Sequence, residues 1–141
     1  MSEEALRFHF DVDGDDFTSA GQASVQVKKL LRELGVSTDV IRRVSIAMYE
    51  GEINMVIHAG GGKADVIVDE TAVTIVLTDE GPGIPNIAQA MQEGYSTAPD
   101  NVRSLGFGAG MGLPNMKRYT DHMEIESQLG QGTVITMRVD L

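Results

Sequence analysis

Glu50, Asn54 and His58 recur at four-residue intervals in the segment "YEGEINMVIHA", Tyr49 to Ala59. On a helix, successive members of such a series are displaced by about 40° around the axis, so all three share one face. A carboxylate and a carboxamide one turn apart can act together on a hydrated magnesium ion. The amide oxygen of Asn54 would ligate the metal, while Glu50 holds a water or takes the proton of an attacking nucleophile. The same spacing also describes the solvated face of an amphipathic helix, and the segment alone leaves both readings open. Glu52 falls on a different side of the helix and reads as surface; His58 reads as lining the edge of a site rather than reacting in it.

Three further stretches carry chemical potential. "TDEGPGI", Thr78 to Ile84, follows a strongly apolar run and places the acceptor-only carboxylate of Asp79 at its end. Gly81 and Gly83 around Pro82 let the chain bend tightly past whatever that carboxylate contacts, and the amino group of a purine is a fitting donor. A plain strand-ending turn explains the same residues. In "GFGAGMGLPN", Gly106 to Asn115, four glycines occupy every second position directly ahead of a helix-like sequence, as in a loop that cradles phosphate at a helix N-terminus. "GQGT", Gly130 to Thr133, is a turn with a hydroxyl at its exit. Each is a weak signal singly; their order along one chain is more specific.

The elements that must position these residues can be read from periodicity. "LRFHFDVD" alternates as a strand over Leu6–Asp13, ended by the Asp-Gly-Asp-Asp cluster at 13–16. Helical spacing runs from Thr18 to Leu34 with Gly35 as a stop, and again from a Ser37 or Thr38 cap to about His58, where three glycines end it. "ADVIVDE" and "AVTIVLTD" form an antiparallel hairpin. A short helix is expected over Asn86 to Gly94, a long loop over 95–112, a helix over Leu113 to Tyr119, and two final strands around a Leu-Gly-Gln-Gly turn. This order predicts an α+β fold, a two-layer sandwich with helices on one face of a mostly antiparallel sheet.

Composition narrows the function classes. The 141 residues fit one domain over 1–141, with 42% hydrophobic and 23% charged residues as in ordinary globular proteins. A net charge of −10 disfavours nucleic acid and anionic membranes as partners. No apolar run approaches the roughly 20 residues a bilayer requires and no secretory leader is evident, so a cytoplasmic location is expected. Without cysteine there are no disulfides or thiolate metal sites, and the three histidines lack ligand spacing. The eight methionines read as core filling.

Taken together, Glu-x-x-x-Asn on a helix, Asp-x-Gly-x-Gly-Ile after a strand, a glycine-rich segment opening a helix and a late Gly-x-Gly-Thr resemble the GHKL ATP-binding family. Its Bergerat fold is shared by gyrase, heat-shock chaperone ATPases, histidine kinases and anti-sigma-factor serine kinases. Within it, "EGEINMVIHA", "GPGIPNIAQAMQEGYST" and "GMGLPNMKR" look most like the stand-alone serine kinases of bacterial partner switching, of the stressosome switch-kinase kind.

The resemblance implies ATP and Mg²⁺ as cofactors, with Asn54 binding the metal and Glu50 as the base that activates a substrate serine. Asp79 would accept from the adenine amino group, Gly81, Gly83 and Ile84 would shape the ring site, and Thr133 would add a contact. Gly108, Gly110 and Gly112, with Met111 and Leu113 beside them, would form a lid over the phosphates at the head of the helix containing Lys117. The implied activity is phosphorylation of a STAS-domain protein. Sigma-factor sequestration and nucleotide-dependent binding without transfer are the alternatives, and a homodimer stays open. Two departures stand out: Glu80 replaces the family's usual asparagine, and "APDNVRS", Ala98 to Ser104, looks like an insertion in which Arg103 is a candidate phosphate contact.

Overall fold

The computed structural model describes residues 5–14, 21–84, 87–91 and 112–141. The expected strand at the N-terminus is β1 (Leu6–Asp13), followed by α1 (Gln22–Glu33) and α2 (Thr38–Ala59). The hairpin is β2 (Gly61–Val68) with β3 (Ala72–Asp79), and α3 (Ile87–Ala90) is a single turn. The chain closes with α4 (Gly112–Arg118), β4 (His122–Gln128) and β5 (Gly132–Asp140). The rest of the expected 86–94 helix and nearly all of the 95–112 loop lie outside the described residues.

The local signals that set α2 work as read. The Ser37 hydroxyl accepts from the Val40 N–H at 3.3 Å, Asp39 places an acid in the first turn, and Gly60 leaves the helix in the left-handed region at φ 72°. Gly61 and Gly62 do more than end it, because they already pair with Asp13 and Val12 as the first residues of β2.

The sheet runs β1-β2-β3-β5-β4, every neighbouring pair antiparallel. Alternation along its strands sends Ala64, Val66, Val73, Ile75, Leu77, Met137 and Val139 to one face, where all are essentially fully buried. Helices α1, α2 and α4 cover that face, giving the two-layer α+β sandwich. Met48, Met55, Met116 and Met137 are buried in this core, and Met91 and Met123 pack against it, as expected for gap-filling side chains. On the opposite face His9 is not isolated: its Nδ1 meets Asp65 at 2.6 Å and its Nε2 meets Asp11 at 3.2 Å, carboxylates that raise the imidazole pKa.

Glu52 corrects the sequence reading. It is 2% exposed, buried where α2 meets the start of α1. Its Oε2 accepts the N–H groups of Gly21 at 3.0 Å and Ala23 at 3.3 Å, and its Oε1 accepts that of Ser24 at 2.7 Å. A helix start leaves several N–H groups without intrahelical partners, and the N-cap residue Gly21 has no side chain to satisfy them. Glu52 therefore caps α1 from a neighbouring helix. Burial pushes its carboxyl pKa up, against the three N–H groups that pull it down.

Candidate functional site

Three helical features bring the chemistry to one edge of the sheet. Gly51 lets α2 lie close on β3, because a Cβ there would fall 2.1 Å from the Leu77 side chain. Glu50 and Asn54, both half-buried, flank Gly51 on one side of the same stretch of helix, about 100° and 60° around the axis from it. Beside α2, α4 is anchored by Leu113 and Met116, which are buried in the core, Met116 reaching the same Gly51. Its exit is held by Arg43, whose Nε donates to the Tyr119 carbonyl at 3.2 Å and whose guanidinium pairs with Asp121 at 3.0 Å.

Asp79 and Thr133 are neighbours because the antiparallel register of β3 and β5 pairs them directly. The Oδ1 of Asp79 accepts from the N–H groups of Gly81 at 3.0 Å and Thr133 at 3.2 Å. Among the described residues nothing hydrogen-bonds its second oxygen. Ser127, which sequence reasoning missed, ties the surrounding turns together. Its hydroxyl accepts from the Ile84 N–H at 2.7 Å, donates to the Gly132 carbonyl at 3.2 Å, and meets the Thr133 hydroxyl at 2.9 Å. With the single Ser127 proton directed to Gly132, Thr133 is the donor in that last pair and keeps its lone pairs for another partner. The Gly130 N–H also donates to the Pro82 carbonyl at 2.8 Å. Gly83 is required by the backbone, since it sits at φ 84° and a Cβ would come within 2.5 Å of the Gln128 carbonyl oxygen.

A shallow cleft results, lined by Asn54, His58, Asp79, Gly83, Ile84 and Thr133 together with Pro82. Burial pushes the His58 pKa down, which favours the uncharged imidazole on this wall. Gly81 is not among the lining residues; it lets the turn pack against Ala59. Leu113 contributes its side chain to the core, and Glu80 is exposed on the rim. Gly108, Gly110, Met111 and Arg103 lie outside the described residues.

Asn54 belongs to a second cluster as well. A Cβ placed on Gly112 would stand 4.0 Å from Asn54 Oδ1, 4.0 Å from Glu50 Oε2 and 4.0 Å from the Glu50 carbonyl. Gly112 has an ordinary helical φ, so glycine here supplies space rather than conformational freedom. The space opens over the carboxamide and carboxylate oxygens, hard donors of the kind magnesium and phosphate-bound water take. The second Asp79 oxygen, without a hydrogen bond among the described residues, has the chemistry to accept an adenine amino group, and the oxygens at this cradle have the chemistry to face a metal-bound phosphate. Gly112→Ala is accordingly expected to leave the thermal midpoint unchanged or slightly raised, because alanine favours helix by up to about 1 kcal/mol. It should weaken ATP binding by about tenfold through the intruding methyl group. Calorimetric titration beside a thermal melt separates the two effects.

Comparison with known proteins shows the family. Residues 15–139 match the family model for the histidine kinase-like ATPase domain, and the chain belongs to that family, the GHKL ATPases and kinases. It is 35% identical over 121 residues to an anti-sigma F factor of Clostridium acetobutylicum, covering 82% of this chain and 81% of that one. It is 34% identical over 124 residues to the serine/threonine-protein kinase RsbT of Bacillus subtilis, covering 85% of each. Among solved structures, the RsbU and RsbW domains of a Mycobacterium tuberculosis protein superpose with a TM-score of 0.65 at 17% identity. That match covers 95% of this chain and 32% of the other, and shows a shared fold. No helix among the described residues is long and apolar enough to cross a membrane.

Proposed function

We propose that residues 1–141 act as one ATP-binding domain, a cytoplasmic serine/threonine protein kinase of a bacterial partner-switching system. It transfers the γ-phosphoryl group of ATP to a serine of a STAS-domain regulator. The observation that carries this reading is the shared position of Asn54. Its carboxamide lines the Asp79 cleft and stands beside Glu50 at the Gly112 cradle, so one nucleotide can span both.

Asp79 would hold the adenine amino group through the oxygen that no described residue hydrogen-bonds, and Thr133 would accept from a bridging water. Asn54 would ligate Mg²⁺, which when bound neutralises phosphate charge and so makes the site usable despite a net charge of −10. Glu50 takes the proton from the serine hydroxyl as the serine oxygen bonds to the γ-phosphorus and the bond to the β,γ-bridging oxygen of ADP breaks. Phosphoryl transfer asks mainly for positioning and electrostatic stabilisation, and these side chains supply both.

Relatives named anti-sigma F factor favour a second reading, in which sequestration of a sigma subunit is the main task and phosphotransfer the release switch. Recovering partners with and without Mg-ATP, and probing them for phosphoserine, distinguishes the two. A partner that is phosphorylated supports kinase action, whereas a sigma factor retained without any phosphorylated protein supports sequestration alone. In either case Asn54→Ala is expected to weaken Mg-ATP binding by about 10- to 100-fold, the worth of one contact to a charged group. An unchanged affinity in calorimetry would remove Asn54 from the metal site.

A further inference from the structure

Asn115 is a residue to which neither the motif reading nor the family comparison gives a role. It lies on α4, three residues past Gly112, and its Nδ2 donates to Glu50 Oε2 at 3.4 Å. A carboxylate can only accept, so the amide faces Glu50 with its nitrogen. Glu50 reaches the site through three rotatable bonds and would otherwise sample several rotamers. The element that carries Asn115 has little freedom of its own, because Leu113 and Met116 on either side of it are buried and Arg43 clasps the residues that follow.

We propose that Asn115 is a positioning residue for phosphotransfer: it holds one oxygen of Glu50 from α4, leaving the other oriented to take the proton of the substrate serine. The inference rests on the reading of Glu50 as the base. It adds that the base is aimed by a side chain from a second helix, so base geometry depends on how α4 seats against α2. A residue that only helped the two helices pack would affect stability and nucleotide affinity. One that aims the base should affect turnover alone.

The test uses the full chain, γ-labelled ATP with magnesium, and a purified STAS-domain protein from the same genome. Asn115→Ala and Asn115→Asp are expected to lower kcat for transfer about tenfold, with the KM for ATP and the thermal midpoint unchanged. Asn115→Asp keeps the shape but cannot donate when ionised, so it should be no better than alanine. In a Glu50→Gln background the Asn115 changes should add nothing further, because their effect passes through the carboxylate. Full activity of both Asn115 variants, or an equal further loss in the Glu50→Gln background, overturns the proposal. Should Glu50→Gln itself transfer at the wild-type rate, the base reading fails instead, and the two failures are thereby told apart.

A measurement independent of any substrate checks the contact itself. The side-chain amide resonances of Asn115 should shift on Glu50→Gln in the nucleotide-free protein. Resonances that stay in place show that the hydrogen bond is absent in solution, and the proposal falls whatever the kinetics.

Discussion

Glu50→Gln is expected to bind Mg-ATP within about twofold of the unaltered chain yet transfer phosphate about 10²- to 10⁴-fold more slowly, the span that a positioned general base contributes. Glutamine keeps the length and shape of the side chain and the reach toward Asn115, but it cannot take a proton near neutral pH. Nucleotide affinity survives because the groups proposed to hold ATP, which are Asn54, Asp79, Thr133 and the Gly112 cradle, are all left in place. Single-turnover transfer set beside equilibrium binding of a labelled adenine nucleotide measures both halves. Transfer at an undiminished rate would leave a nucleotide-dependent binding module, or a base elsewhere in the chain. Loss of binding together with transfer would mean that Glu50 supports the metal rather than the proton.

The largest stability effect is expected two residues further along the same helix. Glu52→Ala strips three N–H groups of their acceptor in a buried location and leaves a cavity beside α1. An orphaned buried donor costs about 1–3 kcal/mol, with some recovery from water entering the cavity, so a loss of about 3–5 kcal/mol is expected overall. For a chain of this size that corresponds to a drop in thermal midpoint on the order of 10 °C. Glu52→Gln should recover only part of it, since one amide oxygen replaces two acceptors and the NH₂ group faces donors.

The pH dependence has a defined sign. Burial holds the folded pKa of Glu52 above its unfolded value near 4.5, so the native state binds more protons between the two. The stabilisation from Glu52 is then complete below the unfolded value and declines as pH rises through the folded one. Denaturant unfolding of wild type and Glu52→Ala should differ most on the acid side, and a gap that widens toward alkaline pH would contradict this account.

The two neighbours illustrate how unevenly the site could be read in advance. Glu50 and Asn54 announced themselves by four-residue spacing, and Asp79 and Thr133 by their places at strand ends next to glycine. Those signals are local and equally described an exposed helix face and a strand-ending turn; the structure puts Asn54, Asp79 and Thr133 on one cleft and Glu50 with Asn54 at Gly112. Glu52 gave a signal that went unused: an acid on the side of the helix shared by buried Met48 and Met55, opposite a first helix whose start has no capping side chain. Ser127 and Asn115 gave no signal. Their partners, Ile84, Gly132 and Thr133 for one and Glu50 for the other, are brought near only when β4 pairs with β5 and α4 lies along α2.

By itself, then, the sequence settled what depends on neighbours along the chain. The alternation that makes strands, the Ser37 and Gly60 ends of α2, the antiparallel hairpin and the family-defining motifs all act over a few residues, and the two-layer α+β architecture follows from their order. Only the tertiary structure decided that Glu50 stands beside the Gly112 cradle while Glu52 is spent on capping a helix, because spacing along a helix sets a direction without saying what lies there. It also decided that Gly112 provides room while Gly83 provides a backbone angle, a distinction that depends on atoms from Glu50, Asn54 and Gln128, each remote in sequence.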